Sequence, residues 1–332
     1  MKQAKRSICG LLILLIVLLG ALPAFARELV VPDHEASLTL DYQYEGMPVP
    51  GARFDIYYLA SVDAGSNFTL TEQFAGYPIN VKDNTADSWN QLAYTLKGYA
   101  QVDKLTPEYT RDTDQDGRLT IDGLPTGLYL VVGTRVTVNE YTYTVDPTIV
   151  SVPGLDPEDD SWIYDTTVYP KSTRDKNPPD DIEHDTRLTR KVLKIWDDDG
   201  DTKSRPAKIT VDLLCDGEVY DTVTLTAKDS WRHAWDNLPA YADNGEPLEW
   251  GLVERKVDGY TVMVAREGIT FMVTNTPKPT PPTPPDPEKP DKPNKPNEDL
   301  PYTGLLWWPV PVLLCAGMLF LIVGVVLRRR HQ

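Results

Sequence analysis

The sequence predicts an all-β protein, with two β-sandwich domains in tandem carried on a proline-rich stalk. Three observations predict it. Alternating or β-branched runs recur at 37–44, 53–59, 119–121, 128–132, 141–145 and 163–169. Turn residues such as Pro48-Val49-Pro50-Gly51 and Asp114-Gln115-Asp116-Gly117 separate them. Helical periodicity is nearly absent: only 88–99, with Trp89, Leu92 and Leu96 on one side, reads as a short helix.

The first domain is expected over 27–171. A polar stretch at 172–187, with Pro178-Pro179-Asp180-Asp181, reads as a linker, and 188–276 is a second β-rich domain. Ten prolines fall within 277–297 among Lys, Asp and Thr, so 277–299 is expected to be a stiff polyproline stalk rising ~3.1 Å per residue. At the front, Lys2, Lys5 and Arg6 precede an apolar stretch at 8–22, and Ala24-Phe25-Ala26 fits a small-x-small cleavage site. Residues 1–26 therefore read as a secretory signal peptide. Cys9 precedes the apolar core, where a lipidated cysteine does not belong. At the other end, 305–327 is an apolar run long enough to cross a bilayer core of ~30 Å, and the basic tail 328–332 would stay cytoplasmic.

Immediately before that run stand Leu300, Pro301, Tyr302, Thr303 and Gly304. This order, followed by an apolar span and an arginine cluster, resembles the cell-wall sorting signal of Gram-positive surface proteins. The resemblance implies that a sortase cuts Thr303–Gly304 and joins Thr303 to a peptidoglycan precursor, which gives a secreted protein covalently anchored to the wall.

Three of the 33 basic residues leave with the leader and three with the tail, while all 49 acidic residues stay, so the mature segment carries a net charge of −22. So acidic a surface argues against nucleic acid, which needs basic patches. Only Cys215 remains in the mature segment, so no intramolecular disulfide can form there.

Within 188–276, three polar residues sit on apolar stripes. Strand alternation puts Lys194 with Val192 and Trp196, Glu254 with Trp250 and Leu252, and Asn275 with Ile269, Phe271 and Val273. Buried charges of this kind must pair or neutralise. A buried Lys194–Glu254 salt bridge with Asn275 capping a strand is one outcome. The segment also resembles the Cna-B domain of collagen adhesins and pilins, an immunoglobulin-like sandwich. The matching residues are Lys194-Ile195-Trp196-Asp197-Asp198-Asp199, Arg205-Pro206, Ser230-Trp231, Leu238-Pro239, Tyr260-Thr261-Val262 and Val273-Thr274-Asn275-Thr276. The resemblance implies an intramolecular isopeptide bond, with Lys194 as nucleophile, Asn275 as electrophile and Glu254 as acid/base.

The first domain more loosely resembles the N-terminal domains of Gram-positive pilins, through Pro48-Val49-Pro50-Gly51-Ala52-Arg53-Phe54 and Gly123-Leu124-Pro125-Thr126-Gly127-Leu128-Tyr129. Trp162, Tyr164-Asp165 and Val168-Tyr169-Pro170-Lys171 are similar to the pilin motif. There the lysine attacks the acyl-sortase intermediate of another subunit, which implies Lys171 as a polymerisation acceptor. Ser172 departs from the asparagine often found next. The first strand of this domain has no lysine, so no isopeptide bond is expected in it.

Asp112-Thr113-Asp114-Gln115-Asp116-Gly117 begins like a calcium loop, but Gly123 stands where a glutamate is needed, and a hairpin turn is the expected reading. No nucleophile elbow, phosphate loop or metal motif is present, and no cofactor, metal or substrate turnover is expected. The function expected is that of a wall-anchored structural protein, an ancillary or basal pilus subunit, with a monomeric wall-anchored adhesin as the alternative. The sequence names no host ligand.

Overall fold

The computed structural model describes residues 28–82, 85–177 and 186–278. The leader, most of the stalk, Leu300, Pro301, Thr303, Gly304, the apolar run and the basic tail lie outside the described residues. No helix among the described residues is long and apolar enough to cross a membrane.

The first domain encloses a core between two sheets. In one, Ala36–Asp41 lies between Asp165–Val168, to which it runs parallel, and Arg118–Leu124, to which it runs antiparallel. In the other, the order is Thr148–Val152, Gly127–Gly133, Arg53–Val62 and Phe68–Leu70, with Tyr109–Asp112 also on Arg53–Val62. Leu38, Leu40, Phe54, Ile56 and Tyr129 are fully enclosed between the sheets. Alternation is what the pleat demands, and Arg118–Leu124 shows it as Leu119 and Ile121 in, Thr120 and Asp122 out.

The turn at Asp114 is tight, with its carboxylate accepting from the Asp116 and Arg118 amides and Gly117 in the left-handed region at φ +74°. It does not close a hairpin, because the flanking strands Tyr109–Asp112 and Arg118–Leu124 pair in different sheets. Within the stretch read as a linker, Ser172–Lys176 is a strand paired with Tyr141–Val145. Its polar sequence hides the alternation, and Arg174 serves as the inward residue, its guanidinium lying over the Tyr44 and Tyr141 rings at 4.6 and 4.7 Å.

The second domain is a sandwich of two sheets. One has the order Arg232–Pro239, Arg187–Trp196, Thr270–Pro277 and Tyr260–Glu267; the other has Glu218–Thr226, Lys208–Cys215 and Trp250–Glu254. Its first and last strands are neighbours and run parallel, with Lys194 beside Val273 and Trp196 beside Asn275.

The expected helix is present and longer, at Ala86–Val102, capped by the Thr85 hydroxyl accepting from the Ser88 amide. It lies against both domains. Leu92, Leu96 and Tyr99 belong to one continuous apolar cluster with Tyr57, Leu130 and Val132 of the first domain and Val253, Val262 and Val264 of the second. The helix also supplies polar contacts to the second domain's sheet edges. The Val264 amide donates to Thr95 Oγ1 at 2.8 Å, and the Tyr99 hydroxyl donates to the Glu254 carbonyl at 3.0 Å. From the preceding loop, the Pro78 carbonyl accepts from the Val262 amide at 2.7 Å. Lys97, on the same helix and buried, pairs with Glu249 at 2.5 Å.

Candidate functional site

Lys194, Glu254 and Asn275 come together in the interior of the second sandwich. The parallel pairing places Lys194 and Asn275 on adjacent strands and on one face, two residues apart in register. Glu254 ends the strand Trp250–Glu254 of the opposite sheet. All three are buried, with Asn275 fully enclosed. Of the neighbours expected on these stripes, Val192, Trp250, Leu252, Phe271 and Val273 are buried; Ile269 is 44% exposed, because it precedes the strand and sits beside the turn at Gly268.

Lys194 Nζ donates to the Ile195 and Val273 carbonyls at 2.7 and 3.2 Å and lies 4.1 Å above the Trp196 ring. Its nearest carboxylate oxygen, Glu254 Oε1, is 4.0 Å away and has no hydrogen-bond partner. Burial drives the lysine below its ordinary value, against the opposing pull of the Glu254 charge. Burial drives the Glu254 carboxyl above its ordinary value, opposed by Lys194 and then by the Asn275 side chain. Both shifts favour the neutral pair, an amine beside a carboxylic acid. Neither polar atom of the Asn275 carboxamide makes a hydrogen bond of good geometry in this interior, and the polar group it acts on is the Glu254 carboxyl. A buried polar group left unpaired costs about 1–3 kcal/mol, so it calls for an explanation.

Asp198 and Arg205 close the loop next to this trio. Arg205 holds the buried Asp198 carboxylate through two bonds of 2.7 and 2.6 Å and lies 5.6 Å from the Trp196 ring. The guanidinium keeps the Asp198 carboxyl below its ordinary value of 3.8. A depressed carboxylate contributes stability above its unfolded pKa and loses it as pH falls through the folded one. Denaturant midpoints taken from about pH 5 to about pH 2 should therefore fall, and Asp198→Asn should start lower and lose less over that window. An Asp198→Asn profile parallel to the wild type would refute the assignment.

Lys171 is exposed, between the strands Asp165–Val168 and Ser172–Lys176, and its carbonyl accepts from the Asp146 amide at 2.8 Å. Trp162, Tyr164 and Val168 are half-buried, and the alternate residues Ile163, Asp165 and Thr167 are exposed, as strand alternation requires. Pro170 is buried where the chain leaves the sheet. The first domain places Asp41, paired with Arg118 at 2.8 Å, on its first strand. Sequence reasoning missed the Tyr99 bond to Glu254 and the Asp198–Arg205 clasp. The first joins residues 155 apart and has no local signal; the second was visible as an acidic run followed by an arginine.

A sandwich whose first and last strands run parallel around a buried Lys-Glu-Asn trio is the class of domain defined so far. Residues 190–276 match the family Cna protein B-type domain. The chain is 37% identical over 78 residues to a collagen adhesin of Staphylococcus aureus, covering 23% of this chain and 6% of that protein. It is 29% identical over 136 residues to fimbrial subunit type 2 of Actinomyces naeslundii, covering 39% and 24%. The chain thus matches less than a quarter of the length of either relative. Among solved structures, a single B repeat unit of the Staphylococcus aureus collagen binding surface protein overlays at TM-score 0.27 with 19% identity, covering 74% of this chain and 99% of that one. The full-length major pilin SpaD from Corynebacterium diphtheriae overlays at 0.28 with 12% identity, covering 74% and 99%. At these scores the overlays add nothing to the fold, which rests on the strands and the family match.

Proposed function

We propose that the chain is a sortase-anchored structural protein of a Gram-positive cell surface, an ancillary or basal pilus subunit. Its second domain is stapled by an isopeptide bond between Lys194 and Asn275. The observation that carries this is the Asn275 carboxamide, buried without a well-formed hydrogen bond beside a lysine and a carboxyl group that burial shifts toward their neutral forms. The neutral Lys194 amine attacks Asn275 Cγ. Glu254, protonated, donates to Asn275 Oδ1 and relays the amine's proton to the leaving Nδ2, which departs as ammonia. One C–N bond forms, one breaks, and Glu254 is restored.

Membership of the surface-protein class is supported by the fimbrial and adhesin relatives. Thr303 would serve as acyl donor toward the wall precursor, and Lys171, exposed at the end of its strand, as acceptor from another subunit. The segment matching the collagen adhesin favours a second reading, a monomeric wall-anchored adhesin in which the sandwich is a stalk and Lys171 is inert. Two measurements test the proposal. The mature chain is expected ~17 Da below its calculated mass, the loss of one ammonia; the full mass refutes the staple. Lys171→Ala is expected to abolish SDS-resistant, high-mass ladders of the protein on cell-wall blots. Ladders unchanged by the substitution, or absent in the wild type, overturn the pilus reading and leave the adhesin.

A further inference from the structure

A cavity of about 650 Å³ lies between the helix Ala86–Val102 and the second domain, well within the ~300–1,000 Å³ of small-molecule sites. Its lining includes Arg135, Arg190 and Arg266, together with Tyr94, Tyr241 and Trp250. Such a concentration of guanidinium groups is unexpected on a chain with a net charge of −16.

Four arginines outside the cavity are matched by a carboxylate. Arg53 holds Asp112, Arg118 holds Asp41, Arg205 holds Asp198 and Arg255 holds Asp212. Among the cavity's three arginines, Arg190 and Arg266 have no such carboxylate among the described residues. Arg190 donates only to the Thr189 carbonyl and keeps a buried Nε without a partner. Arg266 donates to the Gly268 carbonyl. Arg135 pairs with Asp216 through Nη2 but has a buried, unpartnered Nη1. Burial and the like charge of Arg266 push the Arg190 guanidinium down to about 10. Two of the acids lining the cavity are already engaged, Asp146 by the Tyr94 hydroxyl and Glu249 by Lys97; the third is the exposed Asp175.

We propose that this interdomain cavity binds a small ligand bearing an oxyanion (carboxylate, sulfate or phosphate), held by Arg190 and Arg266. An oxyanion matches the planar fork of a guanidinium and relieves the like-charge pair of Arg190 and Arg266. Tyr241 and Trp250 give the cavity aromatic surface for an organic body such as a sugar ring.

The test is calorimetric titration of the intact chain with sodium sulfate, with sodium glucuronate and with glucose. Saturable binding of at least one anion and none of glucose is expected, weakened about tenfold or more by Arg190→Gln with Arg266→Gln. Arg266→Gln alone, at an exposed position, serves if the double variant misfolds, and Arg232→Gln outside the cavity should bind as the wild type does. Binding of both anions identifies the bare oxyanion as the ligand group. Glucuronate alone identifies an acidic sugar. Absence of saturable binding by either anion, equal binding of glucose, or binding unchanged in the Arg190 and Arg266 variants overturns the proposal.

Discussion

Asn275→Ala is expected to give a chain at its full calculated mass that unfolds far more easily than the wild type. Two terms add. On the proposed staple, losing the electrophile leaves the loop between Lys194 and Asn275 open, and for a loop of about 80 residues the chain-entropy argument used for disulfides puts that loss on the order of 4–5 kcal/mol. Lys194 also stays behind, buried 4.0 Å from Glu254 with no Asn275 side chain beside it. Glu254→Gln separates these effects. It preserves shape and removes the proton relay, so it should fold but form the bond slowly or not at all. Denaturant midpoints and intact mass, measured on both variants, decide the matter. An Asn275→Ala chain as stable as the wild type would mean that no cross-link was there to lose.

The second large effect is expected at Gly98. A Cβ there would stand 2.5 Å from Val253 Cγ2 and 3.4 Å from the Leu252 carbonyl oxygen. Val253 is β-branched and buried, so it has little room to turn away. Gly98→Val adds two further methyl groups at that contact and should cost about 1–3 kcal/mol through overpacking. Because the helix joins one continuous core across both domains, the cost should appear as lost cooperativity. Calorimetric unfolding of the variant should separate into two transitions where the wild type shows one. A single, unshifted transition in Gly98→Val would show that the helix does not couple the domains.

These two positions show what a sequence can and cannot disclose. Lys194, Glu254 and Asn275 were legible because each interrupts a period-two apolar stripe, and a polar residue on such a stripe faces the core whichever partner strand it finds. The helix was legible from Trp89, Leu92 and Leu96, but only as one apolar face. Its contacts through Thr95, Lys97 and Gly98 fall off that face, Tyr99 continues it, and all reach a domain more than 150 residues away, a docking that no local pattern encodes. Ser172–Lys176 was hidden for a different reason. Its inward position is an arginine lying on tyrosine rings, which carries no hydrophobic signal. The Asp114 turn misled because turn residues predict a reversal and not which sheet receives the next strand.

The docking of the first domain on Tyr260–Glu267 bears on how copies of this chain avoid one another. That strand ends its sheet, and its outward amides would otherwise invite an extended segment from another molecule. Pro78 and Thr95 occupy the Val262 and Val264 amides instead. Recruitment of a foreign strand along this edge is therefore blocked by the chain itself, before any neighbour arrives. Copies brought to high local concentration are kept from fusing sheet to sheet and so from aggregating along this edge.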